Sequence, residues 1–242
     1  MLHAAPLSPT VASGPARRLA VFTAATADAN RDLAELCARH DHDLLLAAAS
    51  RGEPDGAASA ALRGHGVEVE LLHAPLSSTA GVDALLAAIG QRPVDILVAD
   101  TGSGLGPAFL QADFAEIRHA VDTTLLGTLD LIHRIGRRMR ERCSGKILIT
   151  GSFNAASPCG DLEAAYIGSR AFFDGFVRLL DHELKDCGVT VSVLMPGVAP
   201  PGLHGAAFGA RAAALGAEPR GAPRADPRAS WGARLWRQWG VH

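Results

Sequence analysis

Short apolar runs alternate along the chain with longer segments in which apolar residues return every three or four positions. Six short runs read as strands, over 19–24, 43–48, 67–72, 94–99, 146–150 and 189–195. Most place Val, Ile or Leu on successive residues, as strands buried on both faces do. Between them, helices are predicted over 30–36, 57–63, 80–90, 112–141 and 163–186. This alternation predicts an α/β fold, a doubly wound parallel sheet of about six strands with helices on both faces.

The clearest helical period lies in 112–141, where Phe114, Ile117, Val121, Leu125, Leu131 or Ile132, Ile135 and Met139 share one face. The last predicted helix carries Phe172, Phe173, Phe176, Leu179, Leu180 and Leu184, with charged residues elsewhere. Periodicity stops after Gly197. Residues 1–18 read as a loose leader, 19–197 as one domain, and 198–242 as an irregular Ala/Gly/Pro/Arg segment, a candidate lid or partner surface. Trp231, Leu235 and Trp239 step by four and suit a short terminal helix.

Composition narrows the choice of function. A 242-residue chain that is 48% hydrophobic can bury a large core, and with 5% aromatics that core must be mainly aliphatic. The net charge of −2 disfavours nucleic acid or an anionic membrane as partner, leaving small molecules. Four separated cysteines without a CxxC pair read as reduced thiols, hence a cytoplasmic expectation. His40 and His42 flank Asp41 in what reads as a solvated helix end, and no metal spacing is present. No apolar run reaches the ~18 residues of a membrane span.

The stretch 145–197 ends its strand near Ser152, opens a helix with a Tyr–x–x–x–basic pattern at Tyr166 and Arg170, turns through ELKDCGVTV, and exits at Pro196–Gly197. With VDILVADTGSGLGPAF before it, this order resembles the short-chain dehydrogenase/reductase family over about 18–197, and so a Rossmann-type sheet. The resemblance implies general acid–base work at a carbonyl or alcohol. Tyr166 would move the proton, Ser152 would hold the substrate oxygen, and NAD(P)(H) would carry the hydride. Arg170 stands where the family has Lys, and Thr124 where it has Asn. Fourteen residues separate Ser152 from Tyr166, one more than usual. Tyr166 is the single tyrosine of the chain, which favours a chemical role for it. Arg170, a fixed cation, would lower its pKa.

The cofactor motif that the resemblance implies is eroded. The family's TGxxxGxG turn needs glycine for tightness and for close approach of backbone to phosphate. Here Thr23 is kept, while Ala24, Asp28 and Asn30 fill the three glycine places. A carboxylate at Asp28 about 4 Å from a phosphate costs on the order of 4 kcal/mol at an effective dielectric near 20, roughly a thousandfold in affinity. Asn30 reads as a helix cap or a left-handed turn residue. Arg51 could meet a 2′-phosphate, which favours NADP(H). Ala74-Pro75-Leu76 replaces the adenine-binding Asp. Of the Asn-Asn-Ala-Gly loop only Gly102 survives, with Asp100 beside it. After Pro196, Gly197 and Val198, Pro200-Pro201 replaces a nicotinamide-contacting Thr.

Three functions stay open. The first is an NAD(P)(H)-dependent oxidoreductase acting on a small carbonyl or alcohol. The second is a cofactor-free lyase, isomerase or cyclase on the same scaffold, since halohydrin dehalogenases resemble the family and use Ser, Tyr and Arg. The third is a non-catalytic binding or partner subunit. The helices at 112–141 and 163–186 resemble those through which the family forms dimers and tetramers, and imply a homodimer, a homotetramer or a heteromer with an active relative.

Overall fold

The computed structural model describes residues 17–24, 28–48, 56–101, 109–151 and 164–194. Six strands, β1 (Arg18–Phe22), β2 (His42–Ala48), β3 (Val69–His73), β4 (Val94–Asp100), β5 (Gly145–Thr150) and β6 (Val189–Leu194), form one sheet in the order β3-β2-β1-β4-β5-β6. Every pairing is parallel, and only the β1–β4 ladder shifts register, between Leu19 and Ala20. This is the doubly wound order, with its topological switch between β1 and β4. All six predicted strands are present, with ends moved by one or two residues.

Continuous apolar runs follow from cover on both faces. Leu19, Val21, Leu45, Leu97, Ile147 and Ile149 point to one side. They pack on α3 (Thr79–Ile89), α5 (Thr128–Glu141) and α6 (Ala164–Leu184). Ala20, Phe22, Leu44, Leu46, Ile96, Val98 and Leu148 point to the other, against α1 (Asp28–Arg39) and α2 (Gly56–Arg63). Caps set the helix ends. The Ser78 hydroxyl accepts from Gly81 N at 3.1 Å at the start of α3. The Asp113 carboxylate accepts from Ala115 N at 3.0 Å at the start of α4 (Phe114–Val121).

Two expectations need correction. The helix predicted over 112–141 runs from Phe114 to Glu141 but is not α-helical throughout: a π-helical stretch, Asp122–Gly127, lies between α4 and α5. Thr123 and Thr124 turn their hydroxyls back onto the carbonyls of His119 and Ala120 at 2.8 Å, which loosens the α-helical ladder there. Of its apolar face, Leu131, Ile132, Ile135 and Met139 are fully buried, whereas Phe114 is 71% exposed, because α4 packs on α6 and not on the sheet. His42 likewise does not sit at a solvated end. It opens β2 and is buried, with His40 O 2.9 Å from its Nδ1. Among the described residues no group of His, Cys, Asp or Glu is arranged to hold a metal.

Residues 1–16 and 195–242, which include most of the predicted leader and Trp231, Leu235 and Trp239, lie outside the described residues. No described helix is long and apolar enough to cross a membrane.

Candidate active site at the carboxyl rim of the sheet

In a parallel sheet every strand ends at the same rim, and each following helix starts there. Of the sequence-predicted residues that are described, Thr23, Ala24, Asp28, Asn30 and the start of the helix bearing Tyr166 and Arg170 belong to that rim. Tyr166 and Arg170 are the third and seventh residues of α6, one helical turn apart near its start. Ser152 follows the end of β5 by two residues but lies, with Arg51, Gly102, Pro196, Gly197 and Val198, outside the described residues. The side chains of Asp28, Tyr166 and Arg170 lie outside them too. Asp28 opens α1, so the helix N-terminus that would receive a phosphate is in place. Thr124 sits in the π-helical stretch, with its hydroxyl committed to Ala120 O.

At this rim lies a buried polar cluster in which two residues read from sequence as altered motif positions, Asn30 and Asp100, are joined to Thr23, Thr101 and Thr150. Asn30 has no exposed surface. Its Nδ2 donates to Ala24 O at 2.7 Å and to Asp100 Oδ2 at 2.8 Å. The Thr150 hydroxyl lies 3.1 Å from Asn30 Oδ1 and 2.9 Å from Asp100 Oδ2, and its one proton serves either. The Thr23 hydroxyl accepts from Asp100 N at 2.8 Å, and Thr101 donates through both N–H and O–H to Thr150 O at 2.7 and 2.9 Å. These bonds join the ends of β1, β4 and β5 to the first turn of α1. Asn30 is therefore neither an outward cap nor a left-handed turn residue: it lies within α1 and turns its amide into the sheet edge.

This arrangement bears on cofactor fit. A side chain in place of the third glycine would obstruct a dinucleotide if it stood in the crevice above the rim. Asn30 does not, since all its polar atoms are engaged beneath it. At Asn30, then, the described residues raise no obstacle to a dinucleotide lying across the switch point, where α1 begins.

The loop after β3 explains another altered position. Ala74 and Leu76 are buried, and two glycines press on the loop. A Cβ on Gly81 would stand 2.0 Å from Pro75 O, and one on Gly127 2.1 Å from Leu76 O. The segment is an apolar wedge held by close backbone approach, and Gly81 and Gly127 were the sequence signals for it. Cys37 offers no nucleophile, since it is fully buried and burial pushes its thiol far up.

Comparison with known proteins places this architecture. The family model described as short chain dehydrogenase matches residues 18–207. A very-long-chain 3-oxoacyl-CoA reductase of Neurospora crassa is 29% identical over 73% of this chain and 54% of its own length. The 3-oxoacyl-[acyl-carrier-protein] reductase MabA of Mycobacterium avium is 25% identical over 68% of this chain and 60% of its own. The chain thus spans less than two thirds of these relatives. Among solved structures, a metagenomic short-chain oxidoreductase in complex with NADP superposes with a TM-score of 0.64 at 24% identity, over 75% of this chain and 83% of that one. An NADH-dependent reductase, A1-R′, complexed with NAD gives 0.65 at 20%, over 76% and 79%. The sheet order, the helix starts at its carboxyl rim and these matches lead to one identification: the chain belongs to the short-chain dehydrogenase family.

Proposed function

We propose that the chain reduces a carbonyl group at the expense of NAD(P)H. The observation that supports this reading is the topological switch point. The ends of β1 and β4 and the start of α1 meet there, with the start of α6 at the same rim and the side chain of Asn30 bonded into the sheet edge. Bound there, the nicotinamide cofactor would supply the hydride. The chain's own part is acid–base work. Tyr166 gives its phenolic proton to the carbonyl oxygen, Ser152 orients that oxygen, and Arg170 is the cation that eases ionisation of the phenol. Thr124 stands in the π-helical stretch with its hydroxyl proton given to Ala120 O, so its side chain can serve only as an acceptor. A 3-oxoacyl thioester is the first substrate to test, since the two relatives above are by name 3-oxoacyl reductases. Arg51 favours NADP(H).

Calorimetric titration with NADPH and NADH tests this directly. The reading expects micromolar binding, NADPH the tighter, and further tightening in Asp28→Gly as a repelled phosphate is relieved. No heat up to millimolar cofactor from either protein would remove the redox reading. Cofactor-free chemistry by Ser152, Tyr166 and Arg170, or a purely binding role, would then stand instead.

We propose also that two copies meet through the outer faces of α4 and α6. Phe114, Phe172 and Leu179 are exposed there, Leu179 by 69%. Apolar area of this kind is ordinarily covered by a partner. Light scattering should show a dimer or tetramer that Phe172→Glu/Leu179→Glu converts to monomer. A monomeric wild-type protein would overturn this.

A further inference from the structure

The Asn30 carboxamide serves two different neighbours. One Nδ2 proton closes the connection from β1 to α1 by reaching back six residues to Ala24 O at 2.7 Å. The other, with Oδ1, ties α1 to the ends of β4 and β5 through Asp100 Oδ2 at 2.8 Å and Thr150 Oγ1 at 3.1 Å. The first bond ties the end of β1 to α1, and the second ties α1 to the ends of β4 and β5. Only a primary amide of this length does both. A carboxylate would offer Ala24 O no donor, and a glycine would offer neither tie.

Glycine in a phosphate-binding turn works by absence, letting the backbone fold back closely on itself. This chain reaches the same end from the opposite direction, with a buried side chain that bonds the two flanks of the turn to each other. We infer that Asn30 is a positioning residue for the dinucleotide site. Its bond to Ala24 O holds the end of β1 and the first turn of α1 in binding geometry, replacing the missing glycines, and so sets dinucleotide affinity. The inference rests on the reading that the chain binds NAD(P)(H).

Three variants of the full chain separate the two ties. Thr150→Val cuts a strand tie and keeps the turn tie. Asn30→Asp/Asp100→Asn keeps the charge of the pair and restores the strand tie with donor and acceptor exchanged, but leaves Ala24 O without its donor. Asn30→Gly, which restores the family's own residue, cuts both. Each is measured for Tm, for NADPH affinity by calorimetry, and for amide hydrogen exchange in the first turn of α1 without cofactor.

Thr150→Val should lose Tm while binding NADPH within about threefold of wild type. The exchanged pair should recover Tm yet bind about tenfold more weakly, with faster exchange in the first turn. Asn30→Gly should bind more weakly as well. Tighter binding by Asn30→Gly, or affinity that follows Tm through all three variants, would overturn the inference, since Asn30 would then be an obstruction or a packing residue only. Should wild type itself bind no NADPH, the dinucleotide reading fails separately. Exchange then decides the brace: rapid first-turn exchange in the exchanged pair supports it, and wild-type protection there overturns it.

Discussion

The two rims of the sheet are held by different chemistry. At the rim where strands begin, arginines reach main-chain carbonyls at helix ends and strand starts. Arg17 donates to Gly66 O, Arg18 to His40 O, Arg92 to Ala88 O and Ile89 O, Arg138 to Gly90 O, and Arg142 to Val94 O. Long cations suit carbonyls at helix C-termini, where the dipole is negative. Their ion pairs, Arg17–Asp43, Arg92–Glu70 and Arg142–Asp95, stay in contact with water. At the opposite rim the ends of β1, β4 and β5 are joined by Thr23, Asn30, Thr101, Thr150 and the Asp100 carboxylate, mostly buried. These side chains are short and bond to one another and to the main chain. One rim is bridged by its own long arginines, and the other is tied together by short, mostly buried side chains.

This contrast is sharpest in what removal costs. Asp100→Leu strips the acceptor from the buried amide of Asn30 and from Thr150, and should destabilise by about 2–3 kcal/mol in denaturant unfolding. A loss below about 0.5 kcal/mol would mean that the cluster contributes nothing net. Gly127→Ala should follow, at about 1–3 kcal/mol, because the new Cβ meets Leu76 O at 2.1 Å and the wedge after β3 must shift. Its effect should show as a lowered Tm with the far-UV spectrum unchanged.

Legibility in the sequence divides along the same line. The strands were readable because double-sided burial leaves short apolar runs such as LLL in β2, ILV in β4 and ILI in β5. The carboxyl rim was not. Asp100 and Thr150 lie 70 and 120 residues from Asn30 in sequence; Asn30 and Asp100 each read alone as an altered motif position, and Thr150 carries no signal of its own. Their complementarity of donor and acceptor exists only once the switch point brings β1, β4 and β5 side by side. The break at Asp122–Gly127 was hidden differently. Apolar spacing runs smoothly from Phe114 to Met139, and only the paired threonines and Gly127 mark the disturbance. Tyr166 and Arg170 were legible as a spacing, and the start of α6 puts both positions at the carboxyl rim.

At the other rim, Arg92→Met should cost less than about 1 kcal/mol. Its pair with Glu70, at 2.9 Å, is exposed on both sides. That loss should shrink further as salt is raised from 50 mM to about 0.5 M. A cost equal to that of Asp100→Leu would erase the distinction between the rims.

The smallest effect belongs to His42, the one buried histidine of the described residues, at the first position of β2. Burial lowers its pKa below the ordinary 6.5, and Arg18 adds to this, while the His40 carbonyl and Asp95 oppose it. Folded His42 therefore stays neutral at a pH where the unfolded chain has already taken up a proton. The unfolded state binds more protons in that window, so stability rises with pH there. The contribution is complete above about pH 6.5 and is lost as pH falls through the lowered folded value. In His42→Gln the slope of unfolding free energy between pH 6.5 and 5 should be shallower than in wild type, with the two curves parallel above pH 7. An unchanged slope would show that this rim carries no buried titration, and that its pH response comes from its exposed pairs alone.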